Sequence, residues 1–136
     1  MHPIPDAAAI EAFMKGQVAA WNAHDKAAFL GWYRQVAPEH LQIDYAGRSD
    51  RGDGWFIIEE MYDKHNHQFR LEVDTTIING NEAAVHHRNC IVGTNLVIES
   101  LETYRFEAGK LFVCYYLLPP RGEGVDLNQF RGFAAA

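Results

Sequence analysis

Sulfur is scarce in this chain. Its two cysteines, Cys90 and Cys114, sit in strand-like runs with no CxxC or metal-ligand spacing around them. A disulfide scaffold is thereby excluded, and two reduced, half-buried thiols in a reducing compartment are expected. Positive charge is scarce too. The 12 lysines and arginines are outnumbered by 18 aspartates and glutamates, giving a formal charge of -6 with no basic run. Phosphate backbones and anionic lipid surfaces are poor partners for such a surface, so neither nucleic acid nor membrane is expected as a partner. No apolar run approaches the ~18 residues that a membrane helix needs. The opening string "MHPIPDAAAI" lacks the basic start and apolar core of a secretory leader, and a cytoplasmic protein is expected. Phosphate-loop, nucleotide-fingerprint and HxxEH spacings are all missing, so no metal and no cofactor are expected. There is no internal repeat and no low-complexity linker.

What remains is an ordinary globular composition, 48% hydrophobic and 22% charged over 136 residues. A chain of this length makes one domain, here 1–136, and buries roughly two-thirds of its unfolded surface. Asp6 stands before three alanines as an N-cap, and Ile10, Phe13, Met14, Val18 and Trp21 then recur at helical spacing. Gln17 is the one polar residue on that apolar stripe. Burying it costs stability unless it is hydrogen-bonded. "NAHD" breaks the helix, and Asp25 caps a second one edged by Phe29, Trp32 and Tyr33 and ended by Pro38. "LQIDYAG" alternates as a short strand, with Leu41, Ile43 and Tyr45 on its apolar side and Asp44 on the other. After the polar loop "RSDRGDG", Asp53 caps a third helix, one face of which carries Ile58, Met61, Tyr62 and His65.

From "FRLEVDTTI" onward the pattern is β, with strands at about 82–92, 96–107 and 110–118 and glycine turns at "NGN" and "EAGK". The Pro/Gly-rich tail, 119–136, is expected to be irregular and to pack through Phe130 and Phe133. Helices first and hairpin-connected strands after give an α+β class. A curved, mostly antiparallel sheet wrapped around the long first helix, with two further helices, leaves a cone-shaped cavity between helix and sheet.

The pair His86–His87 tests that geometry, because neighbours on a strand face opposite sides. A three-residue loop at "NGN" sets Val73 opposite His87 and gathers Phe69, Leu71, Val73, Ile77, Ala83, Val85 and Ile91 on one face. His87 and Asn89 then look into the cone, and His86 and Arg88 look out. A two-residue loop reverses this, since a one-residue slip flips every side chain. The larger apolar set favours the first register. An inward His87 is either a working group or a core histidine satisfied by a neighbour. On the next strand Ile98, Glu102, Tyr104 and Phe106 share a face. The loop length in "EAGK" does not decide whether Tyr115 or Tyr116 faces in.

The strings "VAAWNAHD", "RGDGWFIIEEM" and "ETYRFEAGKL", in this order and spacing, resemble the nuclear transport factor 2-like superfamily, with its SnoaL-like cyclases, ketosteroid isomerases and scytalone dehydratases. The resemblance runs from about Ile10 to Leu118 and is nearest the ketosteroid isomerase branch in "QVAAWNAHD", "NEAAV" and "YRFEAGK". It implies the cone-shaped, cystatin-like fold and a pocket for a small apolar molecule. Within it, the isomerases' oxyanion-donating tyrosine falls on Gln17, their second oxyanion-hole acid on Glu102 and their catalytic base on Asp44. Glu102 must then be protonated near neutrality, which takes an apolar site. Asp44 must be re-aimed by a bulge; otherwise Tyr45 takes its place in the pocket. Pocket positions fall on His87, Asn89, Ile91, Cys114 and Tyr116, and Trp21, Tyr62, His65 and Tyr104 are expected to line or close the cavity.

The function so implied is acid–base proton transfer on an apolar carbonyl substrate: isomerisation, cyclisation or dehydration, with Asp44 or His87 as base. A non-catalytic ligand-binding or scaffold protein of the same fold is the alternative. The resemblance also implies a homodimer through the outer sheet face, where Trp55, Val97 and Phe112 offer apolar material.

Overall fold

A computed structural model describes residues 2–47 and 53–118. Three helices and five strands follow one another as α1 (Ala7–Asn22), α2 (Lys26–Val36), β1 (His40–Tyr45), α3 (Gly54–His65), β2 (Phe69–Asn79), β3 (Glu82–Ile91), β4 (Val97–Glu107) and β5 (Lys110–Leu117). The expected irregular tail, 119–136, with Phe130 and Phe133, lies outside the described residues. Among the described residues no helix is long and apolar enough to cross a membrane.

Each helix starts on an aspartate. The carboxylates of Asp6, Asp25 and Asp53 accept from the backbone N–H of Ala9, Ala28 and Trp55, satisfying donors that the first turn leaves free, for about 1 kcal/mol each. The strands form one sheet in the order β1-β5-β4-β3-β2. Every pair is antiparallel except β1 with β5, which runs parallel. The stripe of α1 (Ile10, Phe13, Met14, Trp21) is buried against the sheet's inner face, where Val85, Tyr104, Phe106, Leu111 and Val113 are buried too. Trp21 joins the layers: its ring packs edge-on against Phe29 of α2 and Tyr62 of α3, and its Nε1 donates to the Phe69 carbonyl at 2.9 Å. The start of α3 sits so close to β1 that a Cβ on Gly54 would run into the Leu41 carbonyl.

The β2–β3 hairpin departs from the expected loop. Asn79 pairs with Glu82 across a two-residue turn, with Gly80 at φ 61°. Thr75 then pairs with His86, but the register shifts at Asp74 and Val73 pairs with His87. A β-bulge thus absorbs the residue that a three-residue loop would have absorbed. It has one cost. Ile77, grouped by alternation with the inner apolar set, pairs with Ala84 on the outer face and is 62% exposed.

A buried histidine–glutamate pair at the cone cavity

Strand β3 alternates cleanly: Ala83, Val85, His87 and Asn89 are buried, while His86 and Arg88 lie on the outer face. There His86 sits between two carboxylates, with Nδ1 2.9 Å from Asp74 and Nε2 3.3 Å from Glu99. On β4 the buried set is Ile98, Ser100, Glu102, Tyr104 and Phe106. His87 pairs with Ser100 and Val85 with Glu102, so Glu102 is the diagonal neighbour of His87 on the inner face. The ring and carboxylate meet: His87 Nδ1 is 3.0 Å from Glu102 Oε2, with the two side chains 3% and 9% exposed.

Glu102 has further donors. Tyr104 Oη donates to Oε1 at 2.6 Å and Ser100 Oγ to Oε2 at 3.1 Å. Burial pushes the Glu102 pKa up, but the charge and hydrogen bond of His87, with the Tyr104 and Ser100 hydroxyls, outweigh it and hold the group below the ordinary glutamate value. For His87 burial pushes the pKa down, and Glu102 outweighs it and raises the group above the ordinary histidine value. Glu102 is therefore a carboxylate and an acceptor. The expectation of a protonated oxyanion-hole acid is corrected, because the apolar surroundings that would protonate it hold an imidazole and two hydroxyls as well.

Gln17 extends the network from α1. Its Nε2 donates to Tyr104 Oη at 3.3 Å, and its Oε1 accepts from Tyr33 Oη of α2 at 2.8 Å. Tyr115 of β5 lines the same cavity as Gln17 and Tyr33. Burial and the Glu102 charge raise the pKa of Tyr33, Tyr104 and Tyr115, so all three stay phenols. Asn89 turns its Nδ2 to the Ile98 carbonyl at 2.7 Å and Ser100 Oγ at 3.0 Å.

These groups surround a cavity between the helices and the sheet. Gln17, Tyr33, His87, Asn89, Glu102 and Tyr115 give its polar lining; Trp21, Phe29, Met61, Leu71 and Leu117 give its apolar lining, with Tyr45 beside Met61. It encloses about 440 Å³ of empty space, open solvent at the mouth included, but the centre of a water-sized sphere can move through only about 30 Å³. That is room for about two water molecules. The far nitrogen of the ring, His87 Nε2, is buried here with no hydrogen-bond partner.

Of the residues expected at the site, the fold brings Gln17, Trp21, Tyr45, His87, Asn89 and Glu102 to the cavity, with Tyr104 directly behind Glu102. Several others it does not. Asp44 follows the alternation of its strand: it pairs with Cys114 on the outer face and accepts from Gln42 Nε2 at 2.8 Å. No bulge re-aims it, so it is not a pocket carboxylate. Cys114 and Tyr116 are corrected likewise. Glu107 pairs with Lys110 across a two-residue turn, which sets Tyr115 opposite Glu102 and leaves Tyr116 outside, 50% exposed. Tyr62 is buried but packs its ring behind the lining residues Trp21 and Phe29 and does not itself line the cavity. His65 bonds Gln68 through Nδ1 at 3.1 Å and packs on Phe69, also off the cavity, with burial lowering its pKa. Ile91 does not reach the lining either. Tyr33 and Ser100 were not foreseen. Tyr33 reads in the sequence as part of an apolar edge, and its only hint is a phenol sharing the buried side of the helix pair with Gln17.

No protein-family model matches the chain, and no curated protein matches it. Solved structures do. A protein of unknown function with a cystatin-like fold from Methylobium petroleophilum superposes with a TM-score of 0.69 at 17% identity, over 90% of this chain and 84% of that one. A candidate ketosteroid isomerase from Kribbella flavida gives 0.65 at 15%, over 88% and 89%. A candidate isomerase of the SnoaL-like family from Agrobacterium tumefaciens gives 0.62 at 18%, over 82% and 98%. Nuclear transport factor 2-like proteins of unknown function share the fold as well. At these identities the likeness is one of fold alone.

Proposed function

We propose that this chain, built on the cone-shaped fold its structural neighbours share, is a cofactor-independent acid–base enzyme acting on a small, largely apolar carbonyl compound, with His87 as the proton carrier. One observation carries the reading: His87 Nε2 is buried at the cavity without a partner while Nδ1 is held by Glu102. A carboxylate can only accept, so the proton on the neutral ring sits on Nδ1 and the lone pair on Nε2. The ring is then oriented as a base toward the cavity, and the imidazolium formed when it takes a proton is stabilised by the Glu102 charge. Removal of a proton next to a carbonyl opens isomerisation, cyclisation and dehydration alike, and a positioned base is worth about 10²–10⁴-fold. The candidate isomerases among the structural neighbours favour the first of these. Asp44, on the outer face, has no part in the proposal.

The test is deuterium exchange at the carbon next to the carbonyl in a panel of small ring ketones. Exchange that is lost in His87→Gln, in a protein with an unchanged circular dichroism spectrum, supports the reading; no exchange with any ketone removes it. The second reading is a non-catalytic ligand-binding protein, favoured by the narrowness of the cavity. It predicts binding without exchange. The proposal extends to assembly, as a homodimer through the outer sheet face, where Leu101 and Tyr116 are cross-strand partners, 56% and 50% exposed.

A further inference from the structure

Most donors of the cavity are already engaged. Gln17 Nε2 spends one N–H on Tyr104, Tyr33 Oη donates to Gln17, and Asn89 Nδ2 donates to Ile98 and Ser100. An oxyanion formed there would find few groups to receive it, and Glu102 close by repels it. What the neutral site offers is an acceptor, the lone pair of His87 Nε2. The remaining lining, Trp21, Phe29, Leu71, Met61 and Leu117, is apolar. A ligand suited to it is a small ring that donates one hydrogen bond and carries little other polarity, because a second polar group would give up water for no partner.

We infer that the cavity together with its open mouth takes a small ring bearing a single hydroxyl, whose O–H reaches the enclosed part and donates to His87 Nε2, and that it thereby holds the neutral enol of a ring ketone rather than the enolate anion. This rests on the proposed role of His87 and names the species that the site favours. The balance is simple. The ketone's C–H bond breaks and an N–H bond forms at Nε2; that N–H then breaks and an O–H forms on the former carbonyl oxygen. Carbon's electron pair becomes the C=C bond, the C=O pair takes the proton, and His87 ends neutral. A phenol is a stable likeness of this enol.

The inference sets a pH dependence. The titratable groups facing His87 are Glu102 from β4, Tyr33 from α2, Tyr115 from β5 and Tyr45 from β1; the Tyr33 and Tyr115 phenols are pushed upward and Glu102 downward. His87 is the member of this set whose ordinary range lies nearest neutrality, and once protonated it has no lone pair to offer.

The experiment is calorimetric titration of the protein with phenol, with anisole, which is the same ring without the donor, and with cyclohexanone. Above the His87 titration, phenol is expected to bind about tenfold more tightly than anisole. The preference is expected to vanish as pH falls through that titration and to be absent in His87→Gln. In the unaltered protein the ¹⁵N resonance of Nε2 should move on adding phenol and stay on adding anisole, so the inference does not depend on the variant folding. Anisole or cyclohexanone binding as tightly as phenol overturns it, as does phenol that binds best at the alkaline pH where it ionises, or no binding at all. Phenol binding of the expected kind with no ketone exchange upholds the recognition and removes the catalytic reading. Ketone exchange without phenol preference does the opposite.

Discussion

His87 Nδ1 lies 3.0 Å from Glu102 Oε2, diagonally across β3 and β4 and with both side chains buried. Each group shifts the other's titration enough to overcome the burial that would neutralise both. In Glu102→Gln the imidazole keeps its burial but loses the charge that offsets it. The His87 pKa should then fall below its value in the unaltered protein, a change read directly by NMR titration of the ring. An unmoved pKa would mean that the pair is not coupled.

The same pair shapes stability against pH. His87 titrates higher in the folded chain than the ~6.5 of an unfolded histidine. Its contribution is therefore complete below the unfolded value and fades as pH rises through the folded one. Glu102 titrates lower than the ~4.3 of an unfolded glutamate, so its contribution is present above that value and is lost as pH falls through the folded one. Urea unfolding across pH should show the greatest stability from the pair between the two unfolded values, ~4.3 and ~6.5, with a decline on either side through the folded ones. The difference between the unaltered protein and Glu102→Gln should be widest there and narrow on both sides.

Gln17→Leu should destabilise the fold by about 1–3 kcal/mol, because it leaves the buried Tyr33 hydroxyl without its acceptor and Tyr104 without a donor. The midpoint of denaturant unfolding measures it. An unchanged or higher midpoint would mean that the phenols find other partners, and that Gln17 does not organise the network.

Gly54→Ala should also destabilise, by about 1–3 kcal/mol, since its methyl group meets the Leu41 carbonyl where α3 leans on β1. Backbone cannot yield as a flexible side chain would. The shift should loosen Tyr45 and Met61 at the cavity mouth, seen as weaker binding of any cavity ligand alongside the lower unfolding midpoint.

The dimer proposal has its own test. Leu101→Lys together with Tyr116→Lys places charge on the most apolar cross-strand pair of the outer face. Sedimentation should show the unaltered chain as a dimer and the double variant as a monomer of unchanged secondary structure. A monomer in both cases removes the proposal.

Some of this was legible in the sequence. The helices are marked by their aspartate caps and stripes, and the alternation of "AAVHHRNC" separates His87 from His86. The hairpin loop was not legible. "NGN" serves two- and three-residue turns alike, and the bulge at Asp74 that restores the register depends on packing, not on a turn residue. Tyr115 and Tyr116 were indistinguishable for the same reason, as the length of the "EAGK" turn sets the face. At Asp44 the strand's own alternation pointed outward and the family resemblance pointed inward; the alternation holds, because nothing in β1 breaks its pairing with β5. The protonation of Glu102 depends on Tyr104 beside it and His87 on another strand, and the charge of a buried group is set by such neighbours, not by its own segment.

The central claim is that His87 Nε2 carries the proton. It is tested most directly by following ketone α-deuterium exchange and the His87 ring resonances across pH in one sample. The claim predicts an exchange rate that rises with the neutral fraction of His87, follows the same titration, and drops about 10²–10⁴-fold in His87→Gln. A rate indifferent to that titration, or undiminished in the variant, would contradict it.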